Sequence, residues 1–351
     1  MQVSLNEAFT AIRAIGHEVT FFLKGQPGIG KSAILGMLAE ALPEYLPAYI
    51  DCSTLDLGDL AMPVIDRDLM VTNYAPNARF RLHRGQTRPV IIMLDELSKA
   101  PKPVINMTLP IINDKRFGDM FLPAGSIVIG NGNLDTDGVG DNIPAHAYNR
   151  MTVLDVRNHT DKEWIKWAMG AAVRPEVLNF VRECPEVMDR YDDPQAKDNP
   201  YIFNPLRGQT RAYCSPRSLV RASHILGQRD VLGDSLLALL AGTIGEPAAR
   251  MLEAQVHLRD QLPSREAVLS SPTSAKLPHS PSAYFMMATI LSHAFSAEHA
   301  DAIVTYVKRW DQFEATQYFV SAVACSAKNV VVAYKNRSFT ELASKCGEYW
   351  S

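Results

Sequence analysis

Apolar and polar positions along the chain fall into two regimes. Over the first 157 residues, short β-prone apolar runs alternate with stretches of helical period, the pattern of a parallel sheet covered on both faces. The spacing predicts a helix over 6–18, a strand over 19–23, and, after a glycine-rich turn, a helix over 31–42 that Pro43 stops. A second strand is expected over 48–51. The unbroken apolar run over 90–94 reads as a strand buried on both faces, and proline in the first turn marks a helix over 103–112. Runs at 126–130 and 151–156 complete five strands joined by crossovers, one α/β domain over 1–157.

Beyond Arg157 the strand signal disappears. Helices are expected over 162–169, 175–182, 218–227 and 231–240, with a polar, proline-bearing loop over 191–214. These make a helical region over 158–244. A C-terminal helical region over 245–351 follows, with a Ser/Pro-rich stretch near 262–281 that reads as a linker. Further helical period covers 283–297, 299–310 and 314–334.

Composition narrows the function classes. With 351 residues, 47% hydrophobic and 21% charged, the chain has material for more than one folded domain and is neither disordered nor collagen-like. A formal charge of −3 supplies no global field for nucleic acid or an anionic membrane. Cys52, Cys184, Cys214, Cys325 and Cys346 are scattered, without a CxxC pair, so reduced thiols are expected rather than a disulfide framework or zinc ribbon. The first residues lack a basic segment followed by an apolar one, and no apolar run reaches the ~18 residues of a membrane span, so a cytoplasmic location is expected. The nine histidines show no metal-ligand spacing, and no Gly-x-Ser-x-Gly elbow is present.

One segment carries specific chemistry. Gly25-Gln26-Pro27-Gly28-Ile29-Gly30-Lys31-Ser32 fits G-x-x-x-x-G-K-[ST] and sits between a predicted strand and the predicted helix over 31–42; with Ala33 these are the candidate nucleotide-binding residues. Glycines let backbone N–H groups turn inward on an anion, and the helix N-terminus adds its positive dipole end. Lys31 is placed to reach the β- and γ-phosphates and Ser32 to ligate Mg²⁺. The strand over 90–94 ends in Asp95-Glu96: Asp95 is the candidate to hold the metal, Glu96 to orient or polarise an attacking water. The strand over 126–130 runs into Asn131-Gly132-Asn133, and either asparagine could bond a γ-phosphate or water; an Asn-Gly turn closing the strand explains either one equally well. Arg150 stands at a helix-to-strand junction and Arg217 at a helix start, where each could also be an ordinary surface charge.

In this order the elements resemble an AAA+ ATPase of the MoxR type, the branch that includes CbbQ/NorQ-like activators. Phe21-Phe22-Leu23-Lys24 leading into the phosphate loop, Leu94-Asp95-Glu96-Leu97-Ser98-Lys99-Ala100-Pro101, Lys115-Arg116-Phe117-Gly118-Asp119 with Leu122-Pro123-Ala124-Gly125, Asp56-Leu57-Gly58-Asp59-Leu60 with Pro63-Val64, and Ser215-Pro216-Arg217 carry the likeness, over residues 20–235. It implies a P-loop core with a five-stranded parallel sheet followed by an α-helical lid. Lys31 and Ser32 would be Walker A, Asp95 and Glu96 Walker B, Asn133 sensor 1, Arg150 an arginine finger acting in trans and Arg217 sensor 2; Arg116 is a second intersubunit candidate. Two departures stand out: Asn133 is followed by leucine rather than proline, and the finger motif reads Asn149-Arg150-Met151 rather than Asp-Arg-Phe. The resemblance further implies ATP and Mg²⁺, a ring, commonly hexameric, and a protein partner to remodel, commonly one bearing a von Willebrand factor A domain. In such rings the stretch 58–80, with Met62, Tyr74 and Phe80, would be a working loop; a hairpin packed on its own domain is the equal alternative. A nucleic-acid motor is the other function class, disfavoured by the weak negative charge and the lack of a DNA-binding module.

Overall fold

The computed structural model describes residues 1–133, 143–191, 193–204 and 212–347. The chain divides into two compact units, Met1–Asn158 and His159–Ser351.

The first unit is built on a six-stranded sheet in the order β1-β10-β2-β9-β6-β3, with every neighbouring pair parallel. In chain order its elements are β1 (Gln2–Val3), α1 (Leu5–Ile15), β2 (Phe21–Lys24), α2 (Ala33–Ala41), β3 (Leu46–Asp51), α3 (Leu57–Leu60), β4 (Ala61–Asp66), β5 (Val71–Pro76), β6 (Val90–Asp95), α4 (Lys102–Asp114), β7 (Arg116–Phe117), β8 (Met120–Phe121), β9 (Ile127–Gly132), α5 (Ala145–Tyr148) and β10 (Thr152–Val156). The sixth strand is the two-residue β1, which adds to the edge beside β10 and is too short to leave a periodic signal. Every residue of β6 and β9 is buried, as expected of central parallel strands with both faces covered. Side chains alternate between two cores: Phe22, Ile92, Leu94 and Val128 pack into one, Phe21, Leu23, Ile91, Met93 and Ile129 into the other.

Two small hairpins stand off this sheet. β4 and β5 pair antiparallel, as do β7 and β8. They brace each other: Tyr74 N–H donates to the Asp119 carboxylate at 2.8 Å, and a side chain at Gly118, whose φ is +56°, would press on the Tyr74 carbonyl at 3.0 Å. The base is anchored, with Phe80 fully buried and stacked on Phe117 at 4.3 Å between ring centroids. The apolar residues farther out remain exposed: Met62 is 59%, Ile65 70%, Leu69 71% and Met70 85% accessible. Phe80 is therefore a core residue, whereas Met62 and Tyr74 stand on a hairpin whose apolar side chains do not fold back onto the unit.

Lys115 closes α4 in the left-handed conformation, φ 51°. Its ammonium lies 3.5 Å from both the Gly16 carbonyl and the Thr20 hydroxyl, and burial pushes its pKa down from 10.5 to about 8. Between those two values the unfolded chain binds more protons than the native one, so this group makes stability rise with pH. Lys115→Met should stabilise the protein at pH 7 by on the order of 1–2 kcal/mol. That advantage should shrink as pH climbs from about 8 towards 10.5; chemical denaturation at a series of pH values reads it directly.

The second unit is helical. It runs through α6 (Asp161–Gly170), α7 (Pro175–Glu183), α8 (Pro216–Leu226), α9 (Arg229–Leu232), α10 (Leu236–Ile244), α11 (Glu246–Asp260), α12 (Arg265–Ser270), α13 (Pro281–His293), α14 (Ala300–Val307), α15 (Phe313–Cys325), α16 (Ala327–Lys335) and α17 (Arg337–Ala343). One continuous core extends from Trp164 to Leu342, so it crosses the boundary expected near residue 244. The stretch read as a linker is packed: Ser264 caps α12, Val268 is fully buried, and Arg309 donates at 2.8 Å to the carbonyls of both Pro272 and Ala275. Its serines and prolines are cap and turn chemistry rather than flexibility. The helix expected over 231–240 breaks at Gly233, whose φ is +49°, and the one over 314–334 breaks at the extended Ser326. Part of the polar loop over 191–214, namely 205–211, lies outside the described residues. Among the described residues no helix is long and apolar enough to cross a membrane. The five cysteines are free, and burial pushes the Cys52 thiol up to about 12 and Cys184 up to about 11.

At the end of α6, Ala172 adopts φ 54° while Val173 N–H bonds back to the Ala168 carbonyl at 3.0 Å. This is a helix stop at which glycine is the usual residue. Ala172→Gly should raise stability by about 0.5–1 kcal/mol, since relief of the left-handed strain outweighs the added freedom of the unfolded chain. An unchanged or lower melting temperature would contradict this.

Candidate nucleotide site

In a parallel sheet the loops that follow the strands gather at one edge, and there a ligand meets helix N-termini. The loop between β2 and α2 is folded by Gly28 at φ 83° and Gly30 at φ 102°, conformations costly for any side chain-bearing residue. Lys31 is 7% exposed. Its ammonium donates to the Gly25 carbonyl at 2.6 Å, the Gln26 carbonyl at 2.9 Å and Asn133 Oδ1 at 3.2 Å. The lysine thus lies across its own loop, satisfied by the carbonyls it would leave on meeting phosphate. The Gln26 side chain is held in turn by the amide of Asn158 at 2.8 Å.

Register brings the acids in. β3 and β6 pair so that Asp51 faces Asp95, and β6 and β9 pair Leu94 with Gly130. Ser32 Oγ lies 3.0 and 3.1 Å from the two Asp95 carboxylate oxygens. The Tyr49 hydroxyl also donates to Asp95, and burial together with that bond raises the tyrosine pKa. Glu96 leaves the strand with φ 52° and ψ 33°. Its N–H is held by Asn131 Oδ1 at 2.9 Å, and its carboxylate by Lys99 Nζ at 2.5 Å. Asn131 is 1% exposed, with its amide nitrogen 3.5 Å from Ser32 Oγ.

Both asparagines left open by the sequence therefore reach the site with different partners: Asn131 grips the backbone of Glu96, Asn133 the ammonium of Lys31. Tyr49 and Lys99 belong to the same cluster and were not read from the sequence. Lys99 carries a detectable signal, lying three residues after Glu96, whereas Tyr49 is placed by sheet register alone. The structure does not bring Arg150 to this cluster. It precedes β10, whose Thr152 pairs with Phe21 at the start of β2, so a strand length on the order of 13 Å separates it from the phosphate loop after Lys24. Arg150 is exposed. Arg217 is exposed in the first turn of α8, in the second unit. Arg116 is exposed on β7, and Leu134, which follows Asn133, lies outside the described residues.

The donor set suits a magnesium nucleotide. A hydroxyl and a carboxylate converge as hard oxygen donors beside an ammonium and an N-terminal helix turn, which is what Mg²⁺ and a triphosphate require. Loop, strand order and acids together define a P-loop nucleotide-binding fold of the AAA+ kind. Residues 20–122, within the first unit, match the family model of the AAA domain, dynein-related subfamily. No curated protein sequence matches the chain. Among solved structures it is similar to the RuvB branch-migration motor of Thermotoga maritima (16% identity over 76% of this chain and 77% of that one, TM-score 0.36). It is also similar to NtrX of Brucella abortus in complex with ATP (14%, 97% and 68%, TM-score 0.37) and to a putative ATPase of Cytophaga hutchinsonii (10%, 96% and 79%, TM-score 0.31).

Lys31→Met keeps the stem and removes the charge. The ammonium's charge-assisted bonds to phosphate are each worth about 1.5–3 kcal/mol, so nucleotide affinity should fall about a hundredfold. The melting temperature should move little, because freeing the two loop carbonyls is offset by no longer burying an ammonium. Titration with a fluorescent ATP analogue tests it; wild-type affinity would show that Lys31 does not contact the phosphates.

Proposed function

We propose that this chain is a MoxR-type AAA+ ATPase that hydrolyses ATP with Mg²⁺ in a closed ring and uses the turnover to remodel or activate a protein partner in the cytoplasm. The observation that supports it most is the convergence of Lys31, Ser32, Asp95, Glu96, Asn131 and Asn133 at one edge of the sheet. Residues 25–33 cradle the triphosphate, and Ser32 and Asp95 hold Mg²⁺, which when bound neutralises phosphate charge. Glu96 orients the attacking water and accepts its proton; Asn131 fixes where Glu96 leaves the strand; Asn133 aligns the γ-phosphate with Lys31. Arg150 serves the neighbouring subunit's site, which requires a ring with head-to-tail contacts. The first part of the second unit acts as the lid, with Arg217 as its nucleotide sensor. The exposed apolar hairpin of β4 and β5 is the surface offered to the partner, a protein with a von Willebrand factor A domain.

Turnover per subunit, followed alongside sedimentation, should climb as rings assemble. No MgATP hydrolysis, or a rate flat through the assembly range, would overturn the ATPase-ring reading. The Glu96→Gln protein held in ATP should retain a von Willebrand factor A protein in stoichiometric amount; nuclease-sensitive nucleic acid in its place would favour a motor.

A further inference from the structure

A pocket of about 610 Å³ lies within the second unit, lined by the end of α6, the start of α7, the end of α11, and parts of α12 and α13. This volume is in the range of small-molecule sites. One part of its wall is apolar, from Leu262, Pro263 and Ile290; another presents Arg174 and Arg259. Behind the arginines Glu176 is fully buried, its Oε1 lying 3.2 Å from Arg174 Nη2 and 3.3 Å from Arg259 Nε.

This triad is unbalanced in two respects. One carboxylate serves two guanidiniums, leaving one positive charge in excess. Glu176 Oε2 and Arg174 Nε are shut off from solvent without a hydrogen-bond partner among the described residues, and Arg259 Nε meets Glu176 only as an ion pair at 3.3 Å. Buried polar atoms in native structures are nearly always paired, and two guanidiniums carry ten N–H donors against the acceptors of one carboxylate. Around the triad, Glu266 pairs with Arg265 at 2.9 Å, and Arg229 is shared by Asp260 at 2.8 Å and the exposed Asp230, with its Nη1 buried and unpartnered among the described residues. Of these arginines, Arg174 and Arg259 line the pocket and share one carboxylate, so an unmet donor and a surplus positive charge face it together.

We infer that this pocket binds a small amphipathic monocarboxylate, its head between Arg174 and Arg259 and its apolar body against Leu262, Pro263 and Ile290. A carboxylate supplies one negative charge and two bidentate acceptor oxygens, matching what the triad lacks. The inference is independent of the nucleotide chemistry of the first unit.

The test is calorimetric titration of the full chain, without nucleotide, using octanoate as the probe and acetate and octanol as its two halves. Octanoate should bind saturably at one site, with each half at least tenfold weaker. Ile290→Trp, which leaves every charge in place, should fill the apolar end and abolish binding. Arg259→Gln should weaken it at least tenfold. Glu176→Gln should tighten it severalfold by removing the resident anion that competes for both guanidiniums, an outcome that a purely structural triad would not give. Octanol binding as tightly as octanoate, octanoate binding that survives Ile290→Trp, or weaker binding in a Glu176→Gln protein with unchanged near-ultraviolet dichroism would each overturn the assignment. So would a wild-type titration that shows no saturable heat.

Discussion

Glu96→Gln is expected to bind MgATP as the parent does and to turn it over at least a hundredfold more slowly. Removal of a general base costs about 10²- to 10⁴-fold, and glutamine keeps the shape of the side chain while losing the carboxylate that accepts a proton. Little else should change, because the contact that fixes residue 96 is made by its backbone. Its N–H is held by Asn131 Oδ1 at 2.9 Å, and the left-handed φ of 52° does not depend on the side chain's charge. The ion pair with Lys99 joins side chains 29% and 33% exposed, so its loss costs at most about 1 kcal/mol. A stability change far above that, or turnover at the parental rate, would place the base elsewhere. Asn131→Ala makes a different prediction. It frees residue 96 from its strained exit, so it should lower turnover while leaving the carboxylate's own chemistry intact, and nucleotide affinity should hold.

What the sequence disclosed and what it withheld follow from how local each signal is. Gly25 to Ser32 is a contiguous loop whose spacing alone dictates an anion cradle, and an apolar run ended by Asp95-Glu96 names a buried strand with acids at its tip. The roles of Asn131 and Asn133 could not be divided in this way. They are two residues apart at one strand end, and their partners, Glu96 and Lys31, are delivered by the pairing of β9 with β6 and β2. Tyr49 reaches Asp95 through the register of β3, which no local pattern encodes. Glu176 was hidden for the opposite reason: a glutamate in the first turn of an amphipathic helix reads as surface, whereas here it is fully buried between the nearby Arg174 and Arg259, which is distant in sequence. The stretch over 262–281 misled because serine and proline mark caps and turns as readily as linkers. Phe80 was grouped with the exposed hairpin since nothing in its neighbourhood foretold the stack on Phe117.

Mixing two inactive proteins should restore hydrolysis. Arg150→Ala keeps Lys31, Asp95 and Glu96 and so retains an intact cradle, but lacks the cation it would lend to its neighbour. Glu96→Gln retains Arg150 but lacks the base. If Arg150 works in trans, a mixed ring contains interfaces where a site with its base meets a subunit with its arginine. Turnover should then rise well above that of either parent and peak near equal mixing. The single Arg150→Ala protein should lose about 10³-fold or more, the magnitude of a missing arginine finger. Register disfavours the cis alternative: Arg150 precedes the strand whose first residue pairs with the start of β2, and the phosphate loop follows that strand's other end. A strand length on the order of 13 Å exceeds the reach of an arginine side chain, which favours action on a neighbouring subunit's site. Mixed rings, verified by sedimentation, that stay as silent as their parents would remove Arg150 from the chemistry. Arg116, exposed on the β7 hairpin, would then be the next arginine to exchange.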